Sequence, residues 1–551
     1  MNWLLRSGIS NAEAAPRWQP PLPHALFWLG AGALGMVGLI TALKQLHRPE
    51  QPVQREELRL DDTPVTILQH PEQQPHDHPA VVIAHGFAAS RNIMSAFALT
   101  LARAGYTALT FDFAGHGQNT TPLSGDMADF EGRYQQLKSS LQRVVDLART
   151  RGNGQVALIG HSMGSAVVTR YGQEHPEIAA VIGVSLVYDQ VTPETPRNLL
   201  VINGEREMQL RPMAQQVIDQ VAGGSGSGSI GSTYGNLADG TGRRVVYANG
   251  AEHLGILFHH TSMREALSWL NACFRRPDEP DPYIDQRLPW FGLLYASALL
   301  LFWPCAELLR LARGQHPPLA PVSPLPFRWW LGITLLPALI TPLLLRLIPA
   351  RLTNRFLPII IGGPLTLHFA FYGGLTAAGL WLAQRALPDK VIPTYHTPQL
   401  LFQAVAAALL MSGYAFLTMG QATQRSFVSY FPSAQRLPVA AAVFAAMLPY
   451  FLADEYLTRR PGAPRGAYAL TKMSFVGSLA LAIALNPRQL FFLILVAPML
   501  LAYFAIYGFL GALLYHRSQM PLSGAIANAL ICACGIAANF PLVQHSPQRR
   551  A

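Results

Sequence analysis

Charge is what this sequence has least of. Asp, Glu, Lys and Arg make up 13% of its 551 residues, against roughly 25% in an ordinary soluble domain, and half of the chain is hydrophobic. That composition excludes a simple soluble globule and points to a membrane protein. Lysine is scarcer still, present only at Lys44, Lys138, Lys390 and Lys472, so the net charge of +10 rests on arginine. The arginines punctuate hydrophobic runs, as membrane-flanking charges do, instead of clustering with aromatic residues as a nucleic-acid surface would. Nucleic acid is therefore not an expected partner. Cysteine occurs four times, at Cys273, Cys305, Cys532 and Cys534, in neither a zinc-ligand spacing nor a disulfide framework. The metalloprotease pattern H-E-x-x-H is also missing, and no metal or cofactor is expected. Gly226-Ser-Gly228-Ser-Ile-Gly231 formally satisfies G-x-G-x-x-G, but it neither follows a strand nor opens a helix, which removes dinucleotide binding.

What is present falls into two textures. Residues 1–23 are polar and proline-rich, and 24–43 follow as about 20 apolar or small residues without a charge, enough for an anchor helix through a bilayer. A cleaved signal peptide would have a shorter apolar run that begins earlier. From 56 to 276 short apolar runs alternate with amphipathic stretches. Strands are expected at 59–68, 80–87, 106–112, 155–159, 180–187, 198–202 and 244–248, and helices at 93–104, 133–149 and 165–175. Such alternation predicts an α/β domain with a mostly parallel sheet and helices on both faces. The Gly- and Ser-rich run 222–242 reads as a flexible surface loop.

At the centre of this region the run Gln155-Val-Ala-Leu-Ile159 ends abruptly in Gly160-His161-Ser162-Met163-Gly164 and resumes with helix-compatible residues. This is G-x-S-x-G in a strand–turn–helix context, which exposes a serine hydroxyl on a sharp turn and aims a helix N-terminus at developing negative charge. Together with His85-Gly86-Phe87, Asp112-Phe-Ala-Gly-His-Gly117, Gly204-Glu-Arg-Glu207 and His253, it resembles the α/β-hydrolase superfamily, nearest its small esterase, lipase and serine-peptidase branch.

Ser162 is then the expected nucleophile and His253, beyond the last strand, its base. In the order Ser…acid…His of that superfamily, Glu207 takes the place of the acid after strand 198–202, and Asp189, after the preceding strand, is the alternative. The resemblance places the oxyanion hole at the backbone N–H groups of Phe87 and Met163. His85, His116 and His161 read as packing residues of the motif turns. Only about a dozen residues separate the strand ending near Val187 from Asn198, too few for a helical cap. The mouth of the site is expected to be open, or covered by the Gly/Ser loop or by the membrane part.

After an acidic, proline-containing linker at 277–287, eight candidate spans follow at 288–309, 329–348, 357–383, 400–419, 437–457, 467–485, 490–515 and 522–540, each near the length that crosses about 30 Å of hydrocarbon. The segment 357–383 holds two Gly-Gly pairs and could be broken. A membrane domain over 288–543 and a polar tail at 544–551 complete the chain. Asp454-Glu455-Tyr-Leu-Thr-Arg459, with Tyr507–Arg517 and Pro521–Ile531, resembles the last helices of the CAAX-protease and bacteriocin-processing membrane family. However, Asn528 and Cys532 stand where that family has a histidine and an asparagine, and Leu485 where its other histidine falls. Protease activity is not expected there, and an ion-paired helix end at the interface is the plainer account.

The sequence thus predicts a membrane-integrated serine hydrolase, of the kind found in a bacterial plasma membrane, acting on a small-molecule or lipid acyl ester. Amide or thioester cleavage is the variant, and a transport or binding protein regulated by a hydrolase-like domain the alternative. Lys44, Arg48, Arg55 and Arg59 after the first span favour a cytoplasmic hydrolase. Arg459, Arg460, Arg465 and Lys472 on the opposite side nearly balance them.

Overall fold

The computed structural model describes residues 22–71, 77–124, 129–313, 323–349, 352–353, 356–389, 391–392, 398–460 and 462–544. The polar segment 1–23 and the tail 544–551 therefore lie almost wholly outside the described residues. The first described helix, α1 (Leu22–His47), leads into the strands β1 (Gln54–Leu60) and β2 (Thr63–Gln69), a hairpin turned at Asp61, whose φ is +52°. There follow β3 (Ala80–Ala84), β4 (Thr107–Phe111), β5 (Val156–His161), β6 (Ala180–Val184), β7 (Leu199–Gly204), β8 (Thr233–Tyr234) and β9 (Arg243–Ala248). One sheet orders them β1-β2-β4-β3-β5-β6-β7-β9-β8. The run from β4 to β9 is parallel throughout, and antiparallel strands close both edges.

Strand periodicity builds both cores. In β3, Ala80, Val82 and Ala84 face one cluster and Val81 and Ile83 the other, as a strand buried on both sides must. The helices α2 (Ser95–Arg103) and α6 (His260–Cys273) cover the second cluster through Phe97, Leu101, Met263, Leu267 and Leu270. On the opposite face α3 (Phe130–Arg151), α4 (Met163–Glu174) and α5 (Arg211–Ala222) contribute Leu141, Val145, Val168, Tyr171 and Ile218.

Three sequence expectations shift for local reasons. Strand 180–187 stops at Val184 because Ser185 turns to φ +51°, and β7 begins only after Asn198, at φ +43°. The Gly/Ser stretch is not a free linker: the Asp219 carboxylate accepts from the Gly226 and Gly228 N–H groups, and Tyr234 and Thr233 pair with Arg243 and Arg244. The segment 357–383 is helical only from its first glycine pair onward. Ile361 holds φ +64° and the helix starts at Gly362. The second pair stays within the helix, where a Cβ on Gly373 would collide with the backbone of Tyr450.

The remaining long helices are α7 (Leu288–Arg313), α8 (Phe327–Arg346), α9 (Gly362–Ala386), α10 (Pro398–Ala415), α11 (Leu437–Thr458), α12 (Ala467–Leu485), α13 (Leu493–Ser518) and α14 (Pro521–Asn539). With α1 they give nine described segments long and apolar enough to cross a membrane, the make-up of an integral membrane protein. α10 continues through a π-helical turn, Phe416–Gly420, into the short helix Gln421–Ser426. α1 lies along α7, with Gly35 against the Leu301 backbone, where a Cβ would sit 2.9 Å from its nitrogen. Its other flank leaves Leu26, Leu29, Leu34 and Val37 exposed, as a lipid-facing surface does. The acidic pair lies in the last turns of α11 and is buried among its neighbours. Asp454 is salt-bridged to Lys472 and Glu455 to Arg459, satisfying charges that hydrocarbon would penalise.

The α/β domain is docked onto the bundle at two places. In one, the chain after α14 runs between both parts. Leu542 N–H donates to Gly115 O at 2.8 Å, Leu123 N–H to Leu542 O at 2.9 Å and Ile360 N–H to Pro541 O at 3.0 Å. Arg436, with 0% exposure, donates to Ala537 O and Phe540 O at 2.8 Å and to Gly115 O at 2.5 Å. A guanidinium is thus seated on the carbonyl end of α14, where the helix dipole is negative. In the other, Ser95 Oγ donates to Ser426 O at 2.7 Å, and Glu50 accepts from Arg287 and Arg425. Replacing Arg436 by Met strands the carbonyls of Ala537 and Phe540, while Gly115 O keeps the Leu542 N–H, and should cost about 3 kcal/mol. The expected readout is a lower thermal midpoint in detergent and faster proteolysis between the two parts. An unchanged midpoint would show the clamp to be dispensable.

Candidate active site

Every strand of the parallel run ends at the same edge of the sheet, so the loops that follow β3, β5, β6, β7 and β9 converge there. β5 delivers Ser162 with φ +52° and ψ −118°, a conformation that costs a non-glycine residue about 1–3 kcal/mol. The turn closes only because its flanking positions are glycine. A Cβ on Gly160 would strike the carbonyl of Gly164, and one on Gly164 would lie 2.5 Å from His85 O and 2.8 Å from Ala84 O. Ser162 N–H donates to Val184 O at 2.9 Å, tying the turn to β6.

Against this serine stands His253, from the loop after β9. Its Nε2 is 3.0 Å from Ser162 Oγ and its Nδ1 is 2.5 Å from Glu207 Oε1. Glu207, in the turn after β7, is 2% exposed. Its other oxygen accepts from Gly204 N–H at 2.6 Å and from Ser185 Oγ at 2.8 Å. The carboxylate is therefore held in one orientation and presents its free lone pairs to the imidazole. Asp189, the alternative acid, is exposed and makes no hydrogen bond to His253. The arrangement can pass a proton from the serine hydroxyl to the imidazole while the carboxylate fixes the tautomer.

Burial sets the roles of the neighbouring histidines. His161 is pushed down to about 3 by desolvation, with the nearby His253 as a smaller cause, so it is neutral and its Nε2–H donates to His253 O at 2.9 Å. It supports the base from beneath, and nothing in the spacing of the sequence separates that task from packing. His85 is likewise lowered by burial. Its Nε2 accepts from Phe113 N–H at 3.1 Å and its Nδ1 donates to Gly86 O at 2.7 Å, bracing the loop that carries Phe87.

Phe87 and Met163 lie on the two loops flanking Ser162. Met163 opens α4, so its N–H has no partner within the helix, and neither N–H has an acceptor among the described residues. Both are available to a developing oxyanion. The loop after Gly86 is shared with the bundle. Phe87 packs edge-to-face on Phe492, with centroids 4.9 Å apart and planes at 79°. Ala88, at φ +53°, packs against the bundle core, and Ile361 touches the cores of both parts. The membrane part, not the Gly/Ser loop, covers this flank. Ser185, His161 and Phe492 are the site residues that the sequence did not single out for function. Among the described residues, no group of three or more His, Cys, Asp or Glu side chains could hold a metal ion.

Comparison with known proteins bears on the same region. The family model described as "Serine aminopeptidase, S33" matches residues 75–208, a stretch that holds Phe87, Ser162 and Glu207 and stops short of His253. Solved structures with similarity include a Thermus thermophilus protein (18% identity, covering 41% of this chain and 99% of that one, TM-score 0.30). A dienelactone hydrolase from Anabaena variabilis also matches (17%, 40% and 98%, TM-score 0.29). So does a membrane phospholipase A described as a bacterial virulence factor (14%, 46% and 97%, TM-score 0.30). No curated protein matches the sequence. The family match and the sheet order establish an α/β-hydrolase domain, joined to a helical region whose described helices are long and apolar enough to cross a membrane. Removing the acid's charge by Glu207→Gln should lower kcat/KM by about 10⁴-fold, whereas Asp189→Asn should leave it unchanged in an ester-hydrolysis assay. The reverse ranking would transfer the role to Asp189.

Proposed function

We propose that this protein is a membrane-integrated serine hydrolase that cleaves acyl esters of lipidic substrates through an acyl-enzyme intermediate. The observation that carries the reading is the continuous hydrogen-bonded chain from Ser162 through His253 to Glu207, built on a serine whose backbone is held in a strained turn. In the reaction, His253 Nε2 takes the Ser162 proton as Oγ attacks the acyl carbonyl carbon. The tetrahedral oxyanion accepts from the Phe87 and Met163 N–H groups, and the imidazolium is stabilised by Glu207. The imidazolium then protonates the leaving alkoxide. Water, deprotonated by the same imidazole, releases the acyl group and restores the serine.

The lipidic substrate class rests on where the site sits. The oxyanion loop abuts Phe492, at the hydrolase-side end of a bundle helix, and its Ala88 packs on the bundle core, so an acyl chain can approach from the bilayer border without crossing much water. The description of the matched family as aminopeptidases keeps amide cleavage as the variant. A bacterial plasma membrane with the hydrolase on its cytoplasmic side is the accompanying proposal. The second reading, a transport or binding protein regulated by this domain, draws on the buried Asp454–Lys472 and Glu455–Arg459 pairs.

Labelling by a fluorophosphonate in native membranes separates the two readings. The wild type should be labelled and Ser162→Ala should not; labelling that survives the substitution would place the nucleophile elsewhere. A subtler outcome is expected at the junction. Phe492→Ala removes an aromatic contact worth about 1 kcal/mol, and by loosening the oxyanion loop it should lower kcat on a short soluble ester up to about tenfold. An unchanged kcat would mean that the bundle only tethers the hydrolase.

A further inference from the structure

Where α1 leaves its apolar stretch the chain becomes cationic. Val37 and Ile40 are exposed on the lipid-facing flank, and Lys44, His47 and Arg48 follow within two turns, all exposed. A short helical turn, Arg48–Glu50, then redirects the backbone. The carboxylate of Glu50 points inward, accepting from Arg287 at 2.7 Å and from Arg425 at 2.8 Å. Lys44 and Arg48 consequently have no acidic partner among the described residues. From the hydrolase side a third cation joins them. Arg103, the last residue of α2, reaches Pro49 O at 3.5 Å and stacks over the Tyr283 ring at 4.5 Å from its centroid. Its guanidinium is thereby held beside the end of α1.

Two open depressions of the surface adjoin here. One, of about 620 Å³, is lined by Ile40, Leu43, Lys44, Gln45, His47, Arg48 and Gln51. The other, of about 630 Å³, is lined by Arg48, Pro49, Gln51, Pro52, Arg103 and Tyr283. They share Arg48 and Gln51, so they form one groove that starts apolar beside the lipid-facing helix and ends cationic on the hydrolase. No carboxylate lines either part. Guanidinium groups match phosphate oxygens in geometry and charge, and basic side chains at a membrane border attract anionic headgroups by about 1 kcal/mol each.

We propose that this groove binds an anionic phospholipid, its phosphate between Arg48 and Arg103, Lys44 at the glycerol level and its acyl chains along Ile40 and Leu43. Free phosphate shares the headgroup chemistry, but it would leave the apolar end of the groove, at Ile40 and Leu43, unused. The lipid would wedge between α1 and the hydrolase and fix the height of the domain above the bilayer. This site is separate from Ser162, and the proposal does not depend on what the hydrolase cleaves.

The test uses the full chain carrying Ser162→Ala, so that no lipid is consumed, purified in a non-ionic detergent. Native mass spectrometry counts bound lipid as phosphatidylglycerol, phosphatidylcholine or inorganic phosphate is added. Phosphatidylglycerol should bind one per chain, at least about tenfold more tightly than phosphatidylcholine. Arg48→Gln, at an exposed position, should remove that preference, as should the Arg48→Gln/Arg103→Gln pair. Lys138→Gln, on α3 of the hydrolase, should keep it. A thermal midpoint measured without lipid controls for folding of each variant. Equal binding of the two lipids would overturn the proposal, as would a preference that survives Arg48→Gln. Inorganic phosphate binding as tightly as phosphatidylglycerol would overturn the lipid assignment.

Discussion

A serine whose backbone sits at φ +52° has to be held there by everything around it, and the α/β domain is arranged to do so. The strained turn follows a central parallel strand, β5, flanked by β3 and β6. The carbonyls of Ala84 and His85 press on it from one side, and Val184 accepts its amide from the other. Two glycines make that approach possible, since any side chain at either position would collide with backbone. The strain of about 1–3 kcal/mol is offset by packing distributed over a nine-stranded sheet. It places a hydroxyl beyond the sheet edge, where His253 and Glu207 arrive from strands on one side of β5 and Phe87 arrives from the other.

The helical bundle also packs against the loops around this site. A cap in a hydrolase shapes the mouth of the site from within its own fold. Here the interval between β6 and β7 is too short to supply one, and the flank beside Phe87 is instead closed by Phe492, while the chain after α14 bridges Leu123 of the α/β domain and Ile359 of the bundle. Arg436 joins the end of α14 to Gly115 of the α/β domain through carbonyl oxygens alone. That choice suits a low-dielectric junction, because the negative end of a helix dipole stabilises a cation without a second buried charge. The loop that carries Phe87 and Ala88 is consequently packed by two domains at once, and the positions of both enter its geometry.

Charges inside the bundle obey the same economy of partners. Asp454 and Lys472 neutralise one another, and Glu455 neutralises Arg459, whose guanidinium also donates to Gly508 O at 2.9 Å. Gly511 and Gly524 leave room for the Glu455 side chain between α13 and α14. The end of α11 is therefore occupied by ion pairs, with Asn528 beside Gly511.

Local chemistry carried a large part of this protein in its sequence. Alternating apolar runs dictate a two-sided sheet because successive side chains must face opposite cores, and uncharged stretches of about 20 residues dictate membrane helices because hydrocarbon tolerates little else. Glycines on either side of Ser162 announce a turn that only glycine permits. Such signals are legible because each depends on a few neighbours along the chain. The choice of Glu207 over Asp189 as the partner of His253 is of another kind. It depends on Ser185 and Gly204 orienting the carboxylate, and Ser185 comes to Glu207 only when β6 pairs with β7. His161 beneath His253, Phe492 on Phe87 and Arg436 on Gly115 connect residues 92, 405 and 321 positions apart. No local pattern encodes contacts of that range. They are decided by which strands pair, which loops then converge and how the bundle seats against the sheet edge, and those relations exist only once the chain has folded.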